Sequence, residues 1–305
     1  QAIFGTLEQV RVEALGARYL FVGQPPFPPL LTAIEAAPPA LIVAGDTTLL
    51  DRPTVAIVGA RNASAAACRF ARMIAHQLGE AGIAVVSGLA RGIDTAAHMG
   101  SIDGGTVAVV AGGLDVFYPP ENEDLQRRIA GDGLLVSEQP PGTDPRARHF
   151  PYRNRIIAGL AQATLVVEAA PKSGSLITAR LAADFGREVL AVPGSPLDQR
   201  AQGCNLLIRD GATLIQSADD VLEALRPIDA RALREPPTRY RADDGAEADD
   251  AARAQVTELL GPTPVAVDEV VRQAAMPSAV VQTILLELEL AGRLERHAGG
   301  RVSLA

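Results

Sequence analysis

The sequence predicts an α/β protein: a Rossmann-like, doubly wound and mostly parallel sheet, plus a small C-terminal winged-helix domain. Three observations carry this. Short apolar runs rich in Val and Ile recur at Val55–Val58, Ile83–Val86, Val107–Val110, Leu134–Val136, Leu165–Val167 and Val189–Val192. They do not alternate with polar residues, which marks strands covered on both faces and hence a parallel sheet. Helical patterns separate them, and strand–helix alternation from Thr54 to about Leu225 reads as doubly wound. Beyond Leu225 the texture changes, and a second periodic region follows.

Taken in order, residues 1–53 are rich in proline (PPFPPL, APPA) and weakly periodic. They are expected to form a lead-in that packs on the α/β domain, with a short helix near Leu30–Ala36 and an extended piece at Leu41–Gly45. Residues 54–225 form the Rossmann-like domain. Its first helix spans Ser64 to Leu78, with Phe70, Met73, Ile74 and Leu78 on one side, Ser64 as N-cap, and Gly79 and Gly82 ending it. Residues 226–250, with few apolar positions, three prolines and many charges, are read as a mobile linker. In residues 251–305, helices are expected at Ala251–Leu260, Val267–Ala275 and Ser278–Ala291. A hairpin turning at Gly299–Gly300 then completes a winged helix.

The 305 residues suffice for two domains, and apolar residues at 48% suffice for a core. Two cysteines, Cys68 and Cys204, and four scattered histidines supply neither a disulfide framework nor a metal-ligand cluster. A reduced, cytoplasmic setting is the default expectation, with no metal and no cofactor. No apolar run is long enough to cross a membrane, so no membrane insertion is expected, and the first residues are too charged for a signal peptide. Because the chain starts on Gln1 rather than Met, it is read as a trimmed piece of a longer protein.

The net charge of −8 is unevenly placed. Residues 242–305 hold eleven Asp/Glu and five Arg, leaving the first 241 residues nearly neutral with 25 acids and 23 bases. Within that body, Arg146, Arg148, Arg153 and Arg155 fall in ten residues, and no acid intervenes between Asp144 and Glu168. A neutral body with one basic patch can bind a polyanion locally. Lys172 is the single lysine beside 27 arginines.

In an open parallel sheet, ligands sit beyond the carboxyl ends of the strands. The turns there read Gly59-Ala60-Arg61-Asn62, SGLARGID (Ser87–Asp94), GGLDVFYPPEN (Gly112–Asn122), EAAPKSGSLITA (Glu168–Ala179) and Pro193-Gly194-Ser195. Glycine lets backbone N–H groups approach a ligand, and a following helix N-terminus favours an anion. One such turn is explained by chain geometry, whereas five on one edge point to phosphate. The G-x-G-x-x-G, G-x-x-x-x-G-K-[ST] and G-x-S-x-G patterns are absent, which argues against a dinucleotide fold, a P-loop ATPase and a nucleophile elbow. Asp94 and His98 are expected to cap and line a helix rather than form a catalytic pair.

The segment HFPYRNRIIAG (His149–Gly159) is expected to be helical from about Tyr152 to Leu160, with Pro151 as first residue and Ile156, Ile157 and Leu160 buried. Arg153, Asn154 and Arg155 would then crowd the first turn against the helix dipole, which suggests that they await phosphate or an internal acid. Phe150 and Tyr152 could stack on bases. The competing reading has one arginine bracing the sheet edge against a buried carboxylate.

The ordered motifs VAIVGAR, SGLARGID-TAAH, AGGLDVFYP-x-x-N, SE-x-x-x-G, FPYRNRIIAGL, EA-x-x-x-SGSLITA and VPG resemble the DNA-processing protein A family (DprA, also called Smf), over about Tyr19 to Leu225. The tail is similar to the winged-helix domain that some members carry, and residues 1–53 look like a remnant of the family's helical N-terminal domain. The resemblance implies a non-enzymatic protein that binds single-stranded DNA without sequence preference and works as a homodimer. It would load the RecA recombinase during natural transformation. Carried over by motif, the DNA-binding residues would be Gly59, Arg61, Ser87, Gly88, Arg91, Gly92, Arg146, Arg148, Phe150, Ser173, Gly174 and Ser175, with Lys172 beside them and Arg153, Asn154 and Arg155 as contacts or braces. Two departures stand out. Pro120 and Glu121 replace a basic rim, and the presumed recognition helix carries Glu287 and Glu289 with only Arg293 near its end, so it is expected to bind protein or nothing rather than duplex DNA. The alternative is a nucleotide-processing hydrolase of the lysine-decarboxylase-like Rossmann group. Its Pro-Gly-Gly-x-Gly-Thr motif and following Glu find no match in PKSGSLITA.

Overall fold

The computed structural model describes residues 2–225, 250–297 and 299–304. The linker expected at 226–250 lies, apart from Asp250, outside the described residues. The chain divides into two compact units, residues 1–227 and 228–305.

The first unit begins with α1 (Ala2–Ala14), β1 (Arg18–Phe21), α2 (Pro29–Thr32) and β2 (Ala40–Gly45). The parallel core follows as β3 (Thr54–Gly59), α3 (Ala65–Glu80), β4 (Ala84–Ser87), α4 (Ile93–Ser101), β5 (Thr106–Val109), α5 (Glu123–Asp132) and β6 (Leu134–Ser137). Then come α6 (His149–Leu160), β7 (Ala163–Val167), α7 (Gly174–Asp184), β8 (Glu188–Ala191), α8 (Gln202–Arg209), β9 (Thr213–Leu214) and α9 (Ala218–Leu225). The nine strands lie in the order β1-β2-β6-β5-β4-β3-β7-β8-β9. From β6 to β9 all neighbours are parallel, whereas β1–β2 and β2–β6 are antiparallel.

All six continuous apolar runs became strands, and their residues alternate between two cores. Val55 and Ile57 face the layer of α3 and α4, packed with Ile74, Leu78 and Ile93. Ala56 and Val58 face the opposite layer with Leu31, Ile156, Ile157 and Leu160. This double coverage is why the runs lack polar alternation. Residues 18–45 do more than pack against the domain: β1 and β2 extend its sheet. Their antiparallel pairing leaves Phe21 half-exposed at the edge, so β1 lacks the uninterrupted apolar run of a central strand.

The turn beyond β3 meets the turn beyond β7, because the chain winds one way from β3 through β4 and the other way through β7. That junction is the switch point at which doubly wound folds open a crevice.

The second unit contains α10 (Asp250–Glu258), β10 (Val265–Ala266), α11 (Val267–Ala274), α12 (Ser278–Leu290), β11 (Leu294–His297) and β12 (Arg301–Leu304). Its three strands pair in the order β10-β12-β11, with positive-φ Gly299 and Gly300 between β11 and β12. Val256, Val270, Val281, Ile284, Leu285, Leu288 and Val302 form its own core. Three helices and this small sheet, whose first strand lies between α10 and α11, make a winged helix.

Candidate nucleic-acid interface

A cavity of about 780 Å³ opens at the switch point, and its lining includes Gly59, Arg61, Phe150, Arg153, Asn154 and the turn Lys172–Ser175. A smaller neighbour of about 220 Å³ shares Arg61, Phe150 and Arg153 and adds Gly88, Arg91, Tyr118 and Pro119. The two form one groove with a shared wall. Phe150 is its centre: the Arg61 guanidinium carbon lies 5.2 Å from the ring centroid, that of Arg153 5.9 Å, and the Tyr118 ring packs tilted at 5.7 Å. An aromatic ring with two guanidinium groups close to it brings a stacking surface for a base and a counter-charge for its phosphate together.

Helix α6 starts at His149, three residues earlier than its sequence suggests, with Arg148 as the residue before it. Proline fits anywhere in a first turn, where N–H groups have no intrahelical partner. Arg153 and Arg155 therefore sit in the second turn, and the expected opposition to the dipole does not arise there. Arg146 and Arg148 are exposed at the helix entrance, and no carboxylate lies within 4.0 Å of either among the described residues. Tyr152, expected to stack, is 61% exposed and lines neither cavity. Tyr118 takes that place.

The two arginines of RNR differ. Arg155 donates to Glu138 at 2.6 Å and its side chain is only 13% exposed, so it braces β6 against α6. Arg153 is 7% exposed, and its Nε is buried without a hydrogen-bond partner. Burial lowers its pKa to about 10, against the opposing pull of Asp94, so it stays protonated at neutral pH. Burial also raises the Asp94 pKa, while Arg153 acts to lower it.

Asp94 accepts from the backbone N–H of Gly88 at 3.1 Å and of Ala90 at 3.4 Å, and so holds the SGLARG loop from beneath. His98, on the same helix, is fully buried against Thr106 Oγ1 at 2.7 Å, and burial drops its pKa to about 3. Asn122 ties the same loop down by donating to Leu89 O at 2.9 Å and Thr95 Oγ1 at 2.9 Å.

The predicted glycines mostly serve the protein's own packing. A Cβ on Gly59 would strike Val167 O, one on Gly88 would overlap Arg153 Nη1, and one on Gly92 would strike Ala60 O. Gly174 alone among the predicted glycines faces open space. Ser87 is fully buried and donates to Ile57 O at 2.6 Å, so its hydroxyl cannot reach a ligand. Arg91 is exposed but 3.8 Å from Glu121, the acid that departs from the expected basic rim. Ser173 and Ser175 share a hydroxyl contact of 2.7 Å at the start of α7, Asn154 donates to Gly174 O at 3.4 Å, and Lys172 is exposed beside them.

One expected anion site is already filled. The Glu168 carboxylate, from a residue at φ 52°, accepts from Ser64 N at 2.8 Å and Ser64 Oγ at 2.6 Å. The start of α3 is thus neutralised internally. Tyr118, Asp94, Asn122 and Glu168 were not among the predicted site residues, although all of them lie inside the quoted motifs.

These features define a doubly wound α/β body with an arginine- and aromatic-lined groove at its carboxyl edge, carried on one chain with a winged helix. The chain belongs to the DNA recombination-mediator protein A family, whose model matches residues 18–226, and a DprA winged-helix model matches residues 241–300. It is 48% identical to the DNA processing protein DprA of Streptococcus pneumoniae over 63% of this chain and 68% of that one. To protein Smf of Synechocystis it is 44% identical, spanning 69% of this chain and 54% of the relative. Among solved structures, DprA from Streptococcus pneumoniae superposes with a TM-score of 0.66 at 44% identity, covering 68% of this chain and 73% of that one. A Helicobacter pylori DprA, solved for its single-stranded DNA binding mode, superposes with a TM-score of 0.62 at 29% identity, over 68% of this chain and 95% of that one.

Proposed function

We propose that this chain binds single-stranded DNA without sequence preference in the groove around Phe150, and that it loads the RecA recombinase onto that strand as a homodimer. The observation that carries the DNA reading is that Arg61, Arg153 and Lys172 line one aromatic groove, with the exposed Arg146 and Arg148 on either side of Ala147, which also lines it. Single strands expose base faces to Phe150 and Tyr118, while a duplex hides them. Of the predicted contacts, we assign DNA contact to Arg61, Phe150, Arg153, Asn154, Lys172, Ser173 and Gly174, which line the groove, and to Arg146 and Arg148 at its rim. Ser87 and Arg155 act from behind the groove, and Ser175 is largely buried. Fluorescence anisotropy with labelled oligo-dT tests this: affinity should fall steeply with salt as counterions are released.

The dimer reading draws on the β9 edge, two residues long, where Ile177, Leu206 and Leu214 remain 39–45% exposed. Sedimentation at micromolar concentration checks it. RecA loading rests on the family, and is tested by whether the chain speeds RecA's strand-dependent ATP hydrolysis. The hydrolase alternative lacks its carboxylate, since the first turn of α7 holds no acid. Among the described residues no group of three metal-ligating side chains exists and no helix is long and apolar enough to cross a membrane.

A further inference from the structure

We infer that the exposed face of α12 is an interface for a second copy of itself: two winged helices pack α12 against α12, antiparallel, about a two-fold axis between Ile284 and Leu285. This contact is separate from the strand-binding groove and from the β9 edge, and depends on neither.

Helix α12 turns Val281, Ile284, Leu285 and Leu288 into the core of the second unit. At about 3.6 residues per turn, its opposite side carries Ala279, Thr283, Leu286 and Leu290, with Gln282 beside them. All of these are exposed, Leu286 at 50% and Leu290 at 80%, and none is charged. Thr283 Oγ1 donates to Ala279 O at 2.9 Å, so the hydroxyl is already used and the methyl group is left for contact. The glutamates on the two flanks are occupied as well, Glu287 by Arg253 at 2.8 Å and Glu289 by Arg296 at 2.8 Å. The border of the stripe is therefore electrically neutral, and an identical surface meets no net repulsion on approach.

Residue size selects the occupant. The stripe begins with two small residues, Ala279 and Thr283, and ends with two large ones, Leu286 and Leu290. Reversed upon itself, it sets Leu290 over Ala279 of the second copy and Leu286 over Thr283, while the Gln282 amide faces the Glu287 carboxylate. Large meets small and donor meets acceptor, and each contact is made twice, as an isologous interface requires. A parallel pairing would instead stack Leu290 on Leu290 and Glu287 on Glu287. A face that reads duplex DNA would carry cations in these positions.

Thiol cross-linking of the full chain tests the register. The background is Cys68→Ser, since Cys68 is half-buried and Cys204 fully buried. Ala279→Cys and Leu290→Cys are made singly and together, and each protein is treated with a short bismaleimide. In the antiparallel pair, the two copies of either single substitution lie about 16 Å apart along the helices, at about 1.5 Å per residue, beyond the reagent's span. In the double variant each new thiol faces its complement. The double variant should give covalent dimer about fivefold or more above either single variant, because only facing positions come within bridging distance. Adding Leu286→Glu should remove that excess. Adding Thr283→Leu enlarges the apolar face yet should also lower the yield, because a leucine would then meet a leucine. Equal yields from the double and single variants, no covalent dimer, a yield indifferent to Leu286→Glu, or a yield that rises with Thr283→Leu each overturns the inference.

Discussion

The sheet edge and the winged helix both carry arginines on an acidic chain, and they use them in opposite ways. At the edge, Arg61, Arg146 and Arg148 meet no carboxylate within 4.0 Å among the described residues, while Arg153 lies beside the buried Asp94 across Gly88. In the winged helix, Arg253 is paired with Glu287 at 2.8 Å, Arg296 with Glu289 at 2.8 Å, and Arg272 with Glu269, whereas Arg293, just past α12, stands exposed with no carboxylate within 4.0 Å among the described residues. Glu287 and Glu289 sit on α12, the helix that would enter a groove of duplex DNA. That helix exposes Leu286, at 50%, and Leu290, at 80%, in place of free cations. The lesson is that available charge, not basic composition, locates a polyanion site: an arginine already neutralised by its neighbour releases few counterions on binding.

The contrast is broken most severely by Arg61→Ala. Oligo-dT affinity should drop by about tenfold or more, as one phosphate contact and the cation over Phe150 are lost together. The melting midpoint should hardly move, since Arg61 is exposed. Arg155→Ala should show the reverse. It strands Glu138 in a partly buried position and should cost about 1–3 kcal/mol of stability in a denaturant titration, below the figure for a fully buried pair because Glu138 keeps 22% exposure. Its salt slope should match wild type.

A third test concerns the packing under the SGLARG loop. His98 has its pKa lowered from 6.5 to about 3 by burial, so between those values the unfolded chain binds a proton that the folded chain refuses. Stability contributed by the neutral ring is complete above pH 6.5 and declines as pH falls through that window, by about 1.4 kcal/mol per unit. Replacing His98 with Asn should flatten the loss of stability as pH falls below 6.5. A slope identical to wild type would place the proton uptake elsewhere. The smallest effect is expected from Arg253→Ala or Arg296→Ala, which should leave oligo-dT affinity within about twofold at any salt, because those cations are already neutralised. A large loss there would move part of the interface into the winged helix.

Much of this was legible in the chain. The six central strands announced themselves because burial on both faces removes polar alternation, and Ser64 caps α3 as its position implied. The groove's basic and aromatic residues were legible as a cluster for which a solvated face was no adequate account. What stayed hidden has physical causes. β1 and β9 are short edge strands whose residues are partly exposed, so they leave no apolar run. The start of α6 was misplaced because proline suits any position of a first turn. The separate fates of Arg153 and Arg155 depend on Asp94 and Glu138, 59 and 17 residues away in sequence, and no local pattern encodes such pairings. From sequence alone the glycines of the strand turns suggest room for a ligand. At Gly59, Gly88 and Gly92 they make room for the protein itself.

The central claim is that the free cations of the sheet edge, and not the paired ones of the winged helix, hold a single strand. It is tested most directly by titrating the full chain with one labelled oligonucleotide, once as a single strand and once annealed to its complement, across a salt series. The account predicts tighter binding of the single strand, a steep fall with salt, and loss of that preference in Arg61→Ala. Equal or tighter binding of the duplex, unaffected by Arg61→Ala, would contradict it.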